Sequence, residues 1–144
     1  MAIPKKIHWC WLSKDPLPPR VKKCLKSWKR VMPDYEIICW DKERFDIDSV
    51  QFVKDACAAR KWAFAADYIR LYAVYTEGGI YLDSDVLVFR RFDCFLNHGA
   101  FSGIEFHPNT EFYYTKLITH GGGYLGVTMP YKQLLSGQKK EIAG

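Results

Sequence analysis

A helix-length run from about Arg60 to Glu77 ends at Gly78-Gly79, a strong helix terminator, and the apolar triplet Ile80-Tyr81-Leu82 follows at once. That triplet closes on Asp83-Ser84-Asp85. A long helix, a glycine stop and a short strand ending in two carboxylates constrain this part of the chain to an α/β arrangement. In open α/β sheets, ligands bind beyond the carboxyl ends of the strands, which is where Asp83 and Asp85 fall.

The rest of the chain extends the same pattern. Ile7–Leu12 reads as a buried strand, Pro19–Val31 as an amphipathic helix opened by proline, and Tyr35–Trp40 as a second buried strand after the Pro33-Asp34 turn. Asp41–Asp48 suits a turn or short helix, and the long helix begins near Val50 or Arg60. The strand broken by Asp83-Ser84-Asp85 is expected to resume over Val86–Phe89. Further strands are expected over Ala100–Phe106, Phe112–Ile118 and Tyr124–Thr128, with a last short helix from Pro130 to Leu135. The fold class is therefore α/β, a sheet with helices covering its faces, and 144 residues suit one domain over 1–144.

Composition excludes several classes. With 49% hydrophobic residues and only seven prolines and ten glycines, the chain is neither disordered nor fibrous. Its apolar runs reach about half a dozen residues, far below the roughly 20 needed to span a bilayer. The start Met1 to Lys6 is basic but lacks the apolar core of a signal peptide. Five cysteines without a Cys-x-x-Cys pair signal neither zinc nor a disulfide framework, so buried free thiols in a reducing, cytoplasmic setting are expected. The net charge of +5 is concentrated at the front, where residues 1–30 hold nine Lys or Arg against one Asp. Lys22, Lys23, Lys26, Lys29 and Arg30 form the polar face of the Pro19–Val31 helix. That face is either simply solvated or a patch for phosphates or anionic lipid at the inner face of a membrane; no motif directs it to nucleic acid.

The chemistry rests on the carboxylates. Two aspartates at the end of an apolar strand are costly if charged and unpaired, and a divalent cation would relieve that cost. If the segment is extended, residues two apart project to the same side about 6 to 7 Å apart, too far for both to grip one small ion without a turn. One Asp then binds directly and the other through water or a sugar hydroxyl. Oxygen ligands without His or Cys suit Mg²⁺ or Mn²⁺, with a diphosphate completing the shell. On the helix, Arg60, Ala63, Asp67, Arg70, Val74 and Glu77 fall on one stripe, and aromatic and aliphatic residues cover the rest. The helix is expected to be mostly buried with one polar seam. Asp67 and Arg70 either pair with each other or line a ligand pocket, Arg70 offering a fork to phosphate and Asp67 accepting from sugar hydroxyls.

The run from Ala66-Asp67-Tyr68-Ile69-Arg70 through Glu77-Gly78-Gly79-Ile80-Tyr81-Leu82-Asp83-Ser84-Asp85-Val86 closely resembles the sugar-binding region of the DXD glycosyltransferases. It is similar to glycosyltransferase family 32, which includes capsular-polysaccharide transferases and Och-type mannosyltransferases; the glucosyltransferase domains of clostridial toxins are distant relatives. Ile3-Pro4-Lys5-Lys6-Ile7-His8-Trp9-Cys10-Trp11 and the segment from Ser27-Trp28 through Pro33-Asp34-Tyr35 to Trp40-Asp41 match in order. The resemblance covers about residues 3–90, and the family's catalytic domains are generally longer, so the chain reads as a short or truncated version. It implies a GT-A-like, Rossmann-like nucleotide-binding fold, a nucleotide-sugar donor such as a UDP-sugar or GDP-mannose, and a saccharide or lipid-linked acceptor. It further implies Mn²⁺ or Mg²⁺, retention at the anomeric carbon, and a place in surface or capsular polysaccharide synthesis. By matching positions, Trp11 stacks on the base, Tyr81 touches the nucleoside, Asp67 and Arg70 hold sugar and phosphate, and Asp83 and Asp85 serve ribose and metal. Asp83, Asp85 and Arg70 are the implied catalytic set. Trp11 and Tyr81 also suit plain core packing.

Three other readings compete. Ile80 to Val86 also resembles the first motif of haloacid-dehalogenase-type phosphatases, but only Asp93, Glu105, Glu111 and Glu141 follow, with no acidic pair for Mg²⁺. Glycoside hydrolysis needs carboxylates facing each other across a cleft, whereas Asp83 and Asp85 share one short segment. A nucleotide-sugar-binding remnant without transfer fits the donor-binding motifs equally well. His120-Gly121-Gly122-Gly123 reads as a glycine turn or as a loop over the diphosphate.

Overall fold

The computed structural model describes residues 2–106, 113–118 and 129–130, with side chains described for 2–101. Three parallel strands form the first sheet: β1 (Lys6–Cys10) lies in the centre, with β2 (Glu36–Trp40) on one side and β3 (Ile80–Tyr81) on the other. Ile7 pairs with Ile37 across one edge and with Ile80 across the other. Helix α1 (Pro19–Val31) connects β1 to β2 with the bounds its proline and amphipathic spacing predict. β4 (Phe101–Phe106), β5 (Tyr113–Ile118) and β6 (Met129–Pro130) form a second, antiparallel sheet.

The strand period of two sorts the core into two layers. Ile7, Trp9, Ile80 and Leu82 point to the α1 face with Val21, Trp28 and Met32. Cys10, Ile38, Trp40 and Tyr81 point to the other face, against α2 (Gln51–Ala58) and α3 (Trp62–Glu77). Such burial on both faces is what a parallel sheet requires, and it explains why the strands read as nearly continuous apolar runs.

Several expectations need correction. The helical run is two helices, broken where Arg60 adopts φ 54° and the Lys61 N–H bonds back to the Ala56 carbonyl at 2.8 Å. Arg60 therefore lies outside α3 and its seam. α3 is also not mostly buried: Ala65, Ile69, Ala73 and Val74 face the core, whereas Phe64, Tyr68, Tyr72 and Tyr75 are exposed. Val86–Phe89 is no strand. Its backbone is claimed by α1 instead, the Trp28 indole donating to the Val86 carbonyl at 2.7 Å and the Val88 N–H donating to Ser27 Oγ at 3.0 Å. Pro130 sits in β6, and the rest of the helix expected to Leu135 lies outside the described residues. The expected strand at Tyr124–Thr128 and the His120–Gly123 loop lie outside the described residues. Among the described residues, no helix is long and apolar enough to cross a membrane.

The joint between α3 and β3 is held by a buried histidine. The Trp40 indole donates to His8 Nδ1 at 3.0 Å, which fixes the other ring nitrogen, Nε2–H, as the donor to the Gly78 carbonyl at 2.7 Å. Gly79 must be glycine: at φ 97° an added Cβ would stand 2.8 Å from the Lys6 carbonyl oxygen. Burial lowers the His8 pKa from its ordinary 6.5, against the opposing pull of Gly78 and Glu77. The folded state thus keeps this ring neutral at pH values where the unfolded chain protonates it. Stability from His8 is full above pH 6.5 and falls on acidification below it, by at most about 1.4 kcal/mol per pH unit. Urea midpoints at pH 7.5, 6.5 and 5.5 check this, and His8→Gln, whose amide offers the same donor and acceptor, should remove the slope over that interval.

Candidate active site

The sheet order β2-β1-β3 places β1 between neighbours reached in opposite directions, so a crevice opens beyond the carboxyl ends of β1 and β3. A pocket of about 290 Å³ occupies it, lined by Trp11 and Ser13 after β1, by Trp62, Ala63, Ala66 and Arg70 of α3, by Tyr81 at the end of β3, and by Asp83, Ser84 and Asp85 after it. Ala63, Ala66 and Arg70 share one side of α3, and the two alanines leave the room that bulky neighbours would fill. Sequence reasoning placed Trp11, Arg70, Tyr81, Asp83 and Asp85, and these five converge here. Ser13, Trp62 and Ser84 were missed; the small residues at 63 and 66 on the side of the helix that carries Arg70 were the available signal.

The carboxylates are set by a turn. The Val86 N–H donates to the Asp83 carbonyl at 3.1 Å, so Ser84 and Asp85 form the corner of a turn and the condition of an extended segment is not met. Asp83 is held by Arg70 Nη2 at 2.8 Å, a partner that relieves the cost of a charged acid at the strand end. Asp85 is more exposed and faces Arg20 Nη2 at 3.7 Å.

Arg70 is the electrostatic centre. Its guanidinium lies 4.8 Å over the Tyr81 ring and also reaches Asp67 at 3.5 Å. Burial opposes its charge, but Asp83 above all, then Tyr81 and Asp67, more than offset that and raise its pKa. Its Nε–H is buried without a hydrogen-bond partner. Asp67 itself does not line the pocket; its side chain is 57% exposed and touches the site only through Arg70. Burial keeps Tyr81 a neutral phenol and pushes the Cys10 thiol at the pocket wall up to about 12, so neither is a nucleophile near neutral pH. Trp11 stands just past β1, its ring nitrogen donating to the Asp15 carbonyl at 3.1 Å.

Among the described residues no group of three or more His, Cys, Asp or Glu converges as a protein-only metal cage. Asp83 and Asp85 on one turn are oxygen donors that could hold a hard cation only together with further ligands, such as phosphate oxygens. A larger groove of about 640 Å³ lies on another side of α3, between Trp40, Phe45, Tyr68 and Tyr72. On its charged rim Arg44 pairs with Glu77 at 3.0 Å, and Asp46 accepts from the Asp48 N–H at 3.0 Å.

Residues 18–102 match the family described as the glycosyltransferase sugar-binding region containing the DXD motif. Inositol phosphoceramide mannosyltransferase 3 of Schizosaccharomyces pombe is 33% identical over 103 residues, which is 69% of this chain and 29% of that protein. The solved PaToxG glycosyltransferase superposes with a TM-score of 0.60 at 18% identity, over 84% of this chain and 56% of that one. The structural likeness concerns the fold, which is α/β and GT-A-like. Because the matched stretch carries both Arg70 and the Asp83-Ser84-Asp85 turn, the chain belongs to the DXD glycosyltransferase family.

Proposed function

We propose that the chain binds a nucleoside-diphosphate sugar in the pocket beyond β1 and β3 and transfers its hexosyl group to a hydroxyl of a saccharide or lipid-linked acceptor. The convergence of Arg70 with the Asp83–Asp85 turn carries this reading. Trp11, at the mouth, is the platform for the base, and Arg70 aims its charge at the diphosphate. Asp83 is fixed against Arg70, so Asp85 is the better direct ligand for Mn²⁺ or Mg²⁺ and Asp83 the better partner for ribose or a second contact. The cation, when bound, would neutralise charge on the departing diphosphate. The mannosyltransferase relative makes mannose the first sugar to test.

In the transfer, the bond from the anomeric carbon to the diphosphate oxygen breaks and a bond to the acceptor oxygen forms. Among the described residues of the pocket, the carboxylates are Asp83 and Asp85, and both are wanted at the diphosphate end. This favours acceptor attack from the leaving-group face, the diphosphate taking the acceptor's proton, and hence retention.

Asp85→Ala is expected to lower metal-dependent donor turnover at least about 100-fold. The fold should be unaffected, since the pair with Arg20 is at the surface. Release of nucleoside diphosphate with Mn²⁺ present measures the first, a thermal melt the second; undiminished release would contradict the assignment. The alternative reading is donor binding without transfer. Saturable binding with no sugar moved to any acceptor would select it.

A further inference from the structure

Helix α1 and the segment after the aspartate turn form one continuous surface. Lys22, Lys23, Lys26, Lys29 and Arg30 are exposed on α1, which carries no acidic residue. Among the described residues none of these five, nor Arg90, joins an ion pair. An unpaired cluster of this size is held apart from its counter-charges and is free to meet a large anionic partner.

The second observation is apolar. Residues 86–89 run in alternation, Val88 buried at 3% and Leu87 and Phe89 facing out at 37% and 78%. Ser27 binds the Val88 N–H and Trp28 binds the Val86 carbonyl, which lays this segment along α1. Lys23 and Arg30 stand one helical turn before and after Ser27, and Lys26 is beside it. The exposed Leu87 and Phe89 therefore border the unpaired cations, with Arg90 next in the chain. The Arg20–Asp85 contact at 3.7 Å ties the same edge to the pocket mouth.

We propose that this surface docks the protein on an anionic lipid bilayer, Lys23, Lys26, Arg30 and Arg90 meeting the headgroups and Phe89, with Leu87, entering the interface. Cations alone would suit nucleic acid equally; an exposed phenylalanine among them is complementary to a bilayer, where an apolar side chain gains by insertion. The surface lies beside the aspartate turn, so a bound membrane would bring lipid-borne hydroxyls near the site. The inference does not depend on sugar transfer.

Flotation of the full chain with vesicles of 60% phosphatidylcholine and 40% phosphatidylglycerol tests it, against phosphatidylcholine alone. Salt-sensitive binding to the anionic vesicles only is expected, with each basic residue at an anionic surface contributing roughly fivefold. Lys26→Glu with Arg30→Glu should weaken binding at least about 20-fold. Phe89→Ser should weaken it about five- to tenfold at unchanged charge. All three positions are exposed, and an unchanged thermal melt verifies the fold. Absence of vesicle binding, equal binding to neutral vesicles, or an undiminished Phe89→Ser variant would overturn the proposal. So would a short DNA duplex bound more tightly than the anionic vesicles.

Discussion

Arg70→Lys should lower donor turnover by about 100- to 1,000-fold while weakening donor binding far less. Lysine keeps the positive charge, so Asp83 is not left beside an empty site and the fold survives. What disappears is the fork. Arg70 now engages Asp83 at 2.8 Å and Asp67 at 3.5 Å from separate nitrogens and still has a buried Nε–H to give. A single ammonium cannot hold the turn and meet a diphosphate with fixed geometry at once. Charge that develops on the leaving group in the transition state is where this geometry matters most, so kcat should fall more than KM rises. Equal losses in binding and rate would mean that Arg70 only positions the ground state.

Trp28→Ala should cost about 3 to 5 kcal/mol of folding free energy, the largest stability effect expected of any single truncation here. The side chain is fully buried, packs edge-on against Trp9 with ring centroids 6.3 Å apart, and donates to the Val86 carbonyl. Alanine leaves a cavity and strips that carbonyl of its donor. Because Val86 follows Asp85 directly, the same change loosens the aspartate turn, and donor affinity should fall along with stability. Urea unfolding and donor titration together check the coupling. A loss below about 1 kcal/mol would show that α1 does not anchor this segment.

Much of the architecture was legible because local signals agreed with burial. α1 was predicted from a proline at its start and an apolar stripe, and the central strands from apolar runs that a two-faced parallel sheet demands. What misled was local pattern without tertiary context. Val86–Phe89 alternates like a strand, but its backbone partners are the side chains of Ser27 and Trp28, which no period reveals. α3 is apolar almost all round, so periodicity could not say that Tyr68 and Tyr72 point outward. Arg60 ends a helix in the left-handed region without being glycine, which hides the break.

The site was legible in its chemistry and less so in its pairing. Trp11, Arg70, Tyr81, Asp83 and Asp85 share one pocket, although they come from three segments of the chain. Spacing suggested Asp67 as the arginine's partner, one helical turn away. The structure adds Asp83, a closer partner reached across the Gly78-Gly79 break, and leaves Asp67 at the rim. Trp62 and Ser13 carried no motif and became visible only once the crevice was formed.

Calorimetric titration of the chain with GDP-mannose and with a UDP-sugar, each with and without Mn²⁺, addresses the central claim most directly. The account predicts saturable one-site binding of one of these donors, tightened by Mn²⁺, displaced by the matching nucleoside diphosphate and weakened in Trp11→Ala. No saturable heat with either donor in the presence of Mn²⁺, or binding untouched by Trp11→Ala and by Asp85→Ala alike, would contradict the placement of a nucleotide-sugar in this pocket.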